Sequence, residues 1–329
     1  MIRYFNSGYF TRTLMLIFLA ALMWLPAFLM LKETIVPEYP GPLYQLFILV
    51  TGNNTYLHLS IAFFFTIISA FLINQIATQY GFTEKISHLS MLVYVLFSSA
   101  LVSQTAMNPV IFINFLMLFF LLSLFKLTES KAYILHVFNA SFILGIASLF
   151  YPSAINLFLL IWIALLVFTV GQWRNFIVAL IGLTLPFLFA FTWYFWFDLL
   201  PEAYSLFLSS FSIHFPEVIP EWPIDWAAGI ALLFFILISA LKTNSRLMEK
   251  NINIRQMLTV SLNYLALSFV LVLLFATNSA YILFLAIPAS LIIASTLTGI
   301  RKTKWYEWSV WFITLLILFN HYSYLLYVA

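Results

Sequence analysis

Apolar runs follow one another along the whole chain, separated by short stretches that hold the polar and basic residues. A helix of roughly 20 apolar residues crosses the hydrocarbon core of a bilayer. The runs predict spans over residues 12–31, 56–77, 88–103, 109–125, 132–150, 153–171, 175–197, 226–241, 257–276, 279–299 and 305–325. The fold class is therefore all-α, a polytopic transmembrane helical bundle of about 11 spans. Residues 43–50 are apolar but too short to span, and suit an interfacial or re-entrant helix. Residues 202–211 suit an amphipathic helix lying on the membrane surface. Pro109 and Pro152 start spans, where a missing N–H costs nothing. Pro26, Pro186 and Pro288 lie inside spans and should kink them.

Composition supports the pattern. Apolar types make up 64 % of the chain and charged types 8 %; soluble domains carry about 45–50 % and about 25 %. Residues 1–329 thus form a single integral membrane domain with no sizeable soluble part. Cysteine is absent, which excludes disulfides, thiolate chemistry and Cys-ligated metals. The run after Arg12 is too long for a signal-peptide core, and no small-x-small cleavage site follows, so it reads as a retained first helix.

Charge orients the bundle. Lys and Arg resist translocation and mark the cytoplasmic side. With the N-terminus in the cytoplasm, this threading puts inside all of the 14 Lys and Arg residues except Lys32. The outer side holds Glu33, Glu38, Asp198, Glu202, Glu217, Glu221 and Asp225. Its two long segments are residues 32–55 and the extracytoplasmic loop 198–225.

No charged residue falls in the middle of a span, which argues against a proton- or Na⁺-coupled carrier. The intramembrane amides Asn74, Gln75, Asn114, Asn139, Asn156, Asn263 and Asn320 read mainly as interhelical hydrogen-bonding groups. Glu33 and Glu38 stand just beyond the first span. Paired carboxylates there could act as a general base or hold a divalent cation; from spacing alone they read first as solvated loop residues. His214 sits in the long outer loop, and His58 and His321 near outer helix ends. No HExxH, GxSxG, P-loop or dinucleotide fingerprint is present. Nucleic acid is not an expected partner.

The stretches Leu92-Val-Tyr-Val-Leu-Phe-Ser-Ser-Ala-Leu-Val-Ser-Gln, Asn108-Pro-Val-Ile-Phe-Ile-Asn-Phe-Leu and Leu144-Gly-Ile-Ala-Ser-Leu-Phe-Tyr-Pro-Ser-Ala resemble parts of the GT-C class of glycosyltransferases. These enzymes use polyprenyl-phosphate sugars. The stretches look like that class's short helix pair with a small polar outer turn, and its glycine-containing helix followed by a polar turn. The likeness covers residues 12–197, a GT-C-like helical module, with 226–329 as C-terminal spans. The class carries its catalytic acid on the first outer loop, so the resemblance implies Glu33 or Glu38 in that role. Lys32, His58 and His214 are then the outer-face groups for a phosphate-bearing substrate. The chain departs from the class in lacking its acidic-pair or Asp-Glu signature and any outer soluble domain. It also looks like a small membrane family of Bacteroidota that brings no activity with it.

Three functions fit. The first is transfer of a sugar from a lipid-linked donor on the outer side of a bacterial inner membrane. The second is a non-catalytic scaffold subunit of an envelope complex, with other envelope proteins as partners. The third is a transporter of lipid or neutral solute. Membrane lipids are partners in each. A cavity between the two outer segments, open to lipid and lined by Glu33 or Glu38, would favour the enzyme; a filled interior would favour the scaffold.

Overall fold

The computed structural model describes Phe5 and residues 10–83, 87–129, 131–209, 222–298 and 304–328. Among them, every apolar run becomes helix and no strand forms. The helices are α1 (Phe10–Leu29), α2 (Pro42–Thr51), α3 (Thr55–Gln79), α4 (Leu89–Ser98), α5 (Pro109–Phe125), α6 (Tyr133–Ser148) and α7 (Leu159–Val167). They continue with α8 (Trp173–Trp196), α9 (Leu200–Ser209), α10 (Pro223–Ser245), α11 (Ile252–Phe275), α12 (Ala286–Thr298) and α13 (Lys304–Val328). Eight helical stretches are long and apolar enough to cross a membrane. Three of the runs read as spans form shorter helices, at Leu89–Ser98, Tyr133–Ser148 and Pro152–Val167. The 10 residues of α4 rise about 15 Å, half of a hydrocarbon core of about 30 Å. The short helices expected at 43–50 and 202–211 are α2 and α9.

Three runs change to 3₁₀ geometry at one end, at Val102–Thr105, Pro152–Phe158 and Ser279–Leu285. The cause at the first is local. The Ser98 hydroxyl donates back to the Val95 carbonyl (3.2 Å), and Gln104 Oε1 accepts the N–H groups of Ala100 (3.1 Å) and Leu101 (3.2 Å). Polar side chains that offer the backbone alternative partners end helices in this way. At the second, Pro152 opens the segment with its ring at the first position. At the third, Asn278 Oδ1 accepts from Ala280 N–H (2.8 Å) as an N-cap.

The centre of the bundle is two short helices. All ten residues of α4 are buried, and so are residues 286–297 of α12. The two pack on each other, with α3, α10, α11 and α13 around them. Tyr94, Phe284, Leu291 and Ile293 fill this core. On its flank α6 and α8 approach most closely. A Cβ on Gly182 would lie 2.1 Å from Ser141 Oγ, and one on Gly145 would lie 2.8 Å from the Leu183 carbonyl oxygen. Small residues at a crossing let two membrane helices touch backbone to backbone.

The prolines behave unequally. Pro288 falls in the first turn of α12, after the 3₁₀ segment, so it costs no interior bond. Pro26 lies inside α1 and cannot donate to the Leu22 carbonyl. The Tyr322 hydroxyl of α13 donates to that carbonyl instead (3.2 Å).

Hydrogen bonds distinguish the two ends of the bundle. At one, Lys242 donates to the Tyr306 hydroxyl (3.1 Å), Thr243 and Thr296 share a bond (3.0 Å), and Gln256 donates to the Val167 carbonyl (2.8 Å). Basic residues gather at this end. At the other, Ile35 N–H donates to the Met107 carbonyl (2.8 Å), Tyr151 to that of Phe275 (2.5 Å), and Ser103 meets Ser279 (2.8 Å). This second end carries Glu33, Glu38 and Asp225.

Candidate functional site

The first segment after α1 is laid onto the acidic end of the bundle by its own backbone. Residues 32–41 have no helix or strand of their own. Gly41 N–H donates to the Phe150 carbonyl (3.2 Å) and Leu43 N–H to that of Leu149 (3.0 Å). The Tyr44 hydroxyl donates to the Ile35 carbonyl (2.9 Å). Pro42 then starts α2 at a position suited to proline.

His58 ties this segment down. Its Nδ1 shares a hydrogen bond with Thr34 (2.6 Å) and its Nε2 with Thr51 (2.7 Å). The ring is buried, with Phe47 beside it at 5.4 Å between centroids. Both ring nitrogens are thus engaged within the protein. Glu33 and Glu38 are exposed, and Glu38 accepts a hydrogen bond from the Tyr39 hydroxyl (3.0 Å). That bond raises the Tyr39 pKa above its usual value. Beside α2 lies a cleft of about 40 Å³, between Pro40, Pro42, Gln45, Tyr194 and Phe207. Neither glutamate lines it. His214, Glu217 and Glu221 lie outside the described residues.

The densest polar cluster surrounds the helix break at residues 99–105. Asp225, buried in the first turn of α10, accepts from Val102 N–H (3.0 Å) and from Asn320 Nδ2 (2.5 Å). The Lys32 ammonium donates to the carbonyl of the same Val102 and to Thr105 Oγ1 (3.3 Å). Opposite charges therefore hold the two sides of one residue. Lys32 also lies over the Tyr324 ring, 5.5 Å from its centroid. His321 Nε2 meets the Ser99 carbonyl (2.8 Å), and the Trp24 indole N–H donates to Ser99 Oγ (3.2 Å). Three separate helices, α1, α10 and α13, thus converge on one broken turn.

Among the sequence candidates the structure brings Lys32 into this cluster, and it leaves Glu33 and Glu38 at the surface. It also recruits Asp225, Asn320 and His321. Asp225 reads as a loop carboxylate in the sequence. The available signal was Pro223, a helix-starting residue two positions before it, which sets Asp225 inside the first turn. Among the described residues no three of His, Asp and Glu come together as a metal site. Chemically the cluster is a clamp. Lys32, Asp225 and His321 each reach a peptide group of the broken turn, at Val102 or Ser99.

Burial pulls the Lys32 ammonium down to about 7, and Asp225 opposes that shift. The unfolded chain holds this proton up to about 10.5. Between the two values the unfolded state binds more protons, so stability rises as pH rises from 7 towards 10.5 and is lowest below 7. Wild-type protein should therefore melt at a higher temperature at pH 9 than at pH 6.5. Lys32→Met should flatten that increment, and equal pH dependence in the two proteins would contradict the assignment.

A model for a family of unknown function (DUF6427) matches residues 32–327. No curated protein and no solved structure matches the chain.

Proposed function

The chain belongs to DUF6427, and we propose that it is a non-catalytic scaffold subunit of an envelope complex in a bacterial inner membrane. The observation that carries this reading is the filled centre. Helices α4 and α12 occupy the middle of the bundle and are buried along their lengths. Near them at the acidic end, Lys32, Asp225 and the Asn320 Nδ2 group each bond to the 99–105 backbone. A carrier needs a passage between helices and a lipid-sugar transferase needs a chamber; the packing of α4 and α12 favours neither. In this reading the basic end faces the cytoplasm, as the distribution of Lys and Arg requires. The eleven helical runs then weave so that the segments around Glu33 and Asp198 lie outside.

A second reading keeps the GT-C-like fold active, with Glu33 or Glu38 as base or cation ligand. It is favoured by one observation: both glutamates are exposed on a segment fixed at Gly41 and Leu43 by backbone bonds.

One experiment separates the two. The chain carrying Glu33→Gln and Glu38→Gln is expressed in place of the wild type, and native membranes are solubilised in mild detergent. The scaffold reading expects the variant to run in the same assembly, larger than its own 38.0 kDa, and to restore envelope integrity fully. Loss of cellular function in a variant that folds and assembles normally would instead assign catalysis to those carboxylates.

A further inference from the structure

At the basic end a cleft of about 640 Å³ opens between the first turns of α6 and α8. Its mouth is polar, with Lys131, Gln172 and Asn175; its wall is apolar, with Ile134, Phe138 and Ile181. We propose that this cleft holds one anionic phospholipid, its phosphate at Lys131 and one acyl chain along the wall.

The shape argues for a lipid. Ile134 and Ile181 are about half exposed, at 55 % and 50 %, so the wall is open to the surrounding medium. From Gln172 to Ile181 the helix rises about 14 Å, close to one leaflet of a hydrocarbon core of about 30 Å. The groove closes where Gly182 meets Ser141 and the Phe138 carbonyl, which brings α6 and α8 into contact. A headgroup at the mouth and a chain ending at that crossing fill the space from end to end.

Charge argues for an anion. Lys131 stands at the mouth and is exposed; Arg174, also exposed, lies on the first turn of α8 between the lining residues Gln172 and Asn175, its guanidinium 5.8 Å from the Trp173 ring. Neither helix has an acidic residue in its first turn or a side-chain cap at this end. Their N-terminal dipoles therefore add to the field of the two cations rather than opposing it. Glu129 is the closest acid in sequence, and it does not line the cleft. Basic residues at a membrane surface attract anionic lipids, with roughly a fivefold gain in binding for each.

The test is native mass spectrometry of the full chain in detergent, titrated with phosphatidylglycerol or with phosphatidylcholine of the same acyl chains. One phosphatidylglycerol should be retained at least about fivefold better than phosphatidylcholine. Lys131→Gln with Arg174→Gln should remove the preference without changing the melting temperature. Ile134→Trp, which fills the wall, should lower retention of both lipids. Glycerol 3-phosphate should not displace the bound lipid, because it lacks the chain. Equal retention of the two lipids, a preference unchanged by the double substitution, or full displacement by glycerol 3-phosphate would each overturn the proposal.

Discussion

Replacing Asp225 with alanine will cost the protein about 3–6 kcal/mol, because it removes two hydrogen bonds to a buried carboxylate, each at about 1.5–3 kcal/mol. Its carboxylate serves Val102 N–H and Asn320 Nδ2 together, so alanine strands the Val102 N–H, at about 1–3 kcal/mol, and leaves Asn320 Nδ2 only its long bond to the Ala100 carbonyl (3.4 Å). It also leaves the Lys32 ammonium on the Val102 carbonyl with no counter-charge. Folded domains hold only about 5–15 kcal/mol in all, so the change should be plain in a thermal melt followed by tryptophan fluorescence. Asp225→Asn should cost less, because an amide oxygen can still accept from Val102. Adding Lys32→Met to Asp225→Ala should restore part of the loss, since the orphaned cation is then gone. A melting temperature for Asp225→Ala equal to wild type would show that the cluster is not a clamp.

The second large effect is expected at Gly41. A Cβ there would lie 2.2 Å from the Leu149 carbonyl oxygen, 2.7 Å from its carbon and 2.8 Å from the carbonyl carbon of Phe150. All three are backbone atoms, which cannot swing aside as a side chain can. Gly41→Val must therefore push the segment off, breaking the bonds from Gly41 and Leu43 N–H to Phe150 and Leu149. Overpacking of this kind costs about 1–3 kcal/mol, and the two lost bonds add about 1 kcal/mol each. The damage should be local. Hydrogen exchange should rise through α2 and around His58, with the α4–α12 centre still protected. Gly52 supplies the control. It has φ 62° and ψ −156° but nothing within 4 Å of an added Cβ, so Gly52→Ala should cost about 1–3 kcal/mol of backbone strain while leaving the Gly41 and Leu43 bonds intact. If both substitutions behave alike, the contact at Gly41 is not what seats the segment.

Helices were legible in the sequence because their cause is long-range and additive. The run over 109–125 matches α5 residue for residue, since Asn108 caps it and Pro109 starts it. The 3₁₀ segments were not legible. Hydropathy reports how apolar a stretch is, and residues 88–103 stay apolar across a backbone that stops being α-helical after Ser98. The clue lay in chemistry rather than in hydropathy, in Ser98, Gln104 and Thr105 bonding to the backbone around them. The same limit governs the polar cluster. Glu33 and Asp225 both stand beside the ends of apolar runs, yet one is exposed and the other is 3 % exposed. What separates them is Asn320, 95 positions further along, and such a pairing leaves no mark in local sequence. Lys32 illustrates the reverse case. As the one basic residue on the acidic side it looked like a donor for substrate, and the structure places it against Val102 and beside Asp225.

The bond from Tyr322 to the carbonyl freed by Pro26 joins residues 300 positions apart. Contacts of such separation form late, because the intervening chain must first be brought to order. Asn320 and His321, which serve the 99–105 break, sit on the same final helix. The acidic end can therefore close only once α13 has packed against α1 and α10. Until then α1 carries an unfilled Leu22 carbonyl and Asp225 is short of one donor.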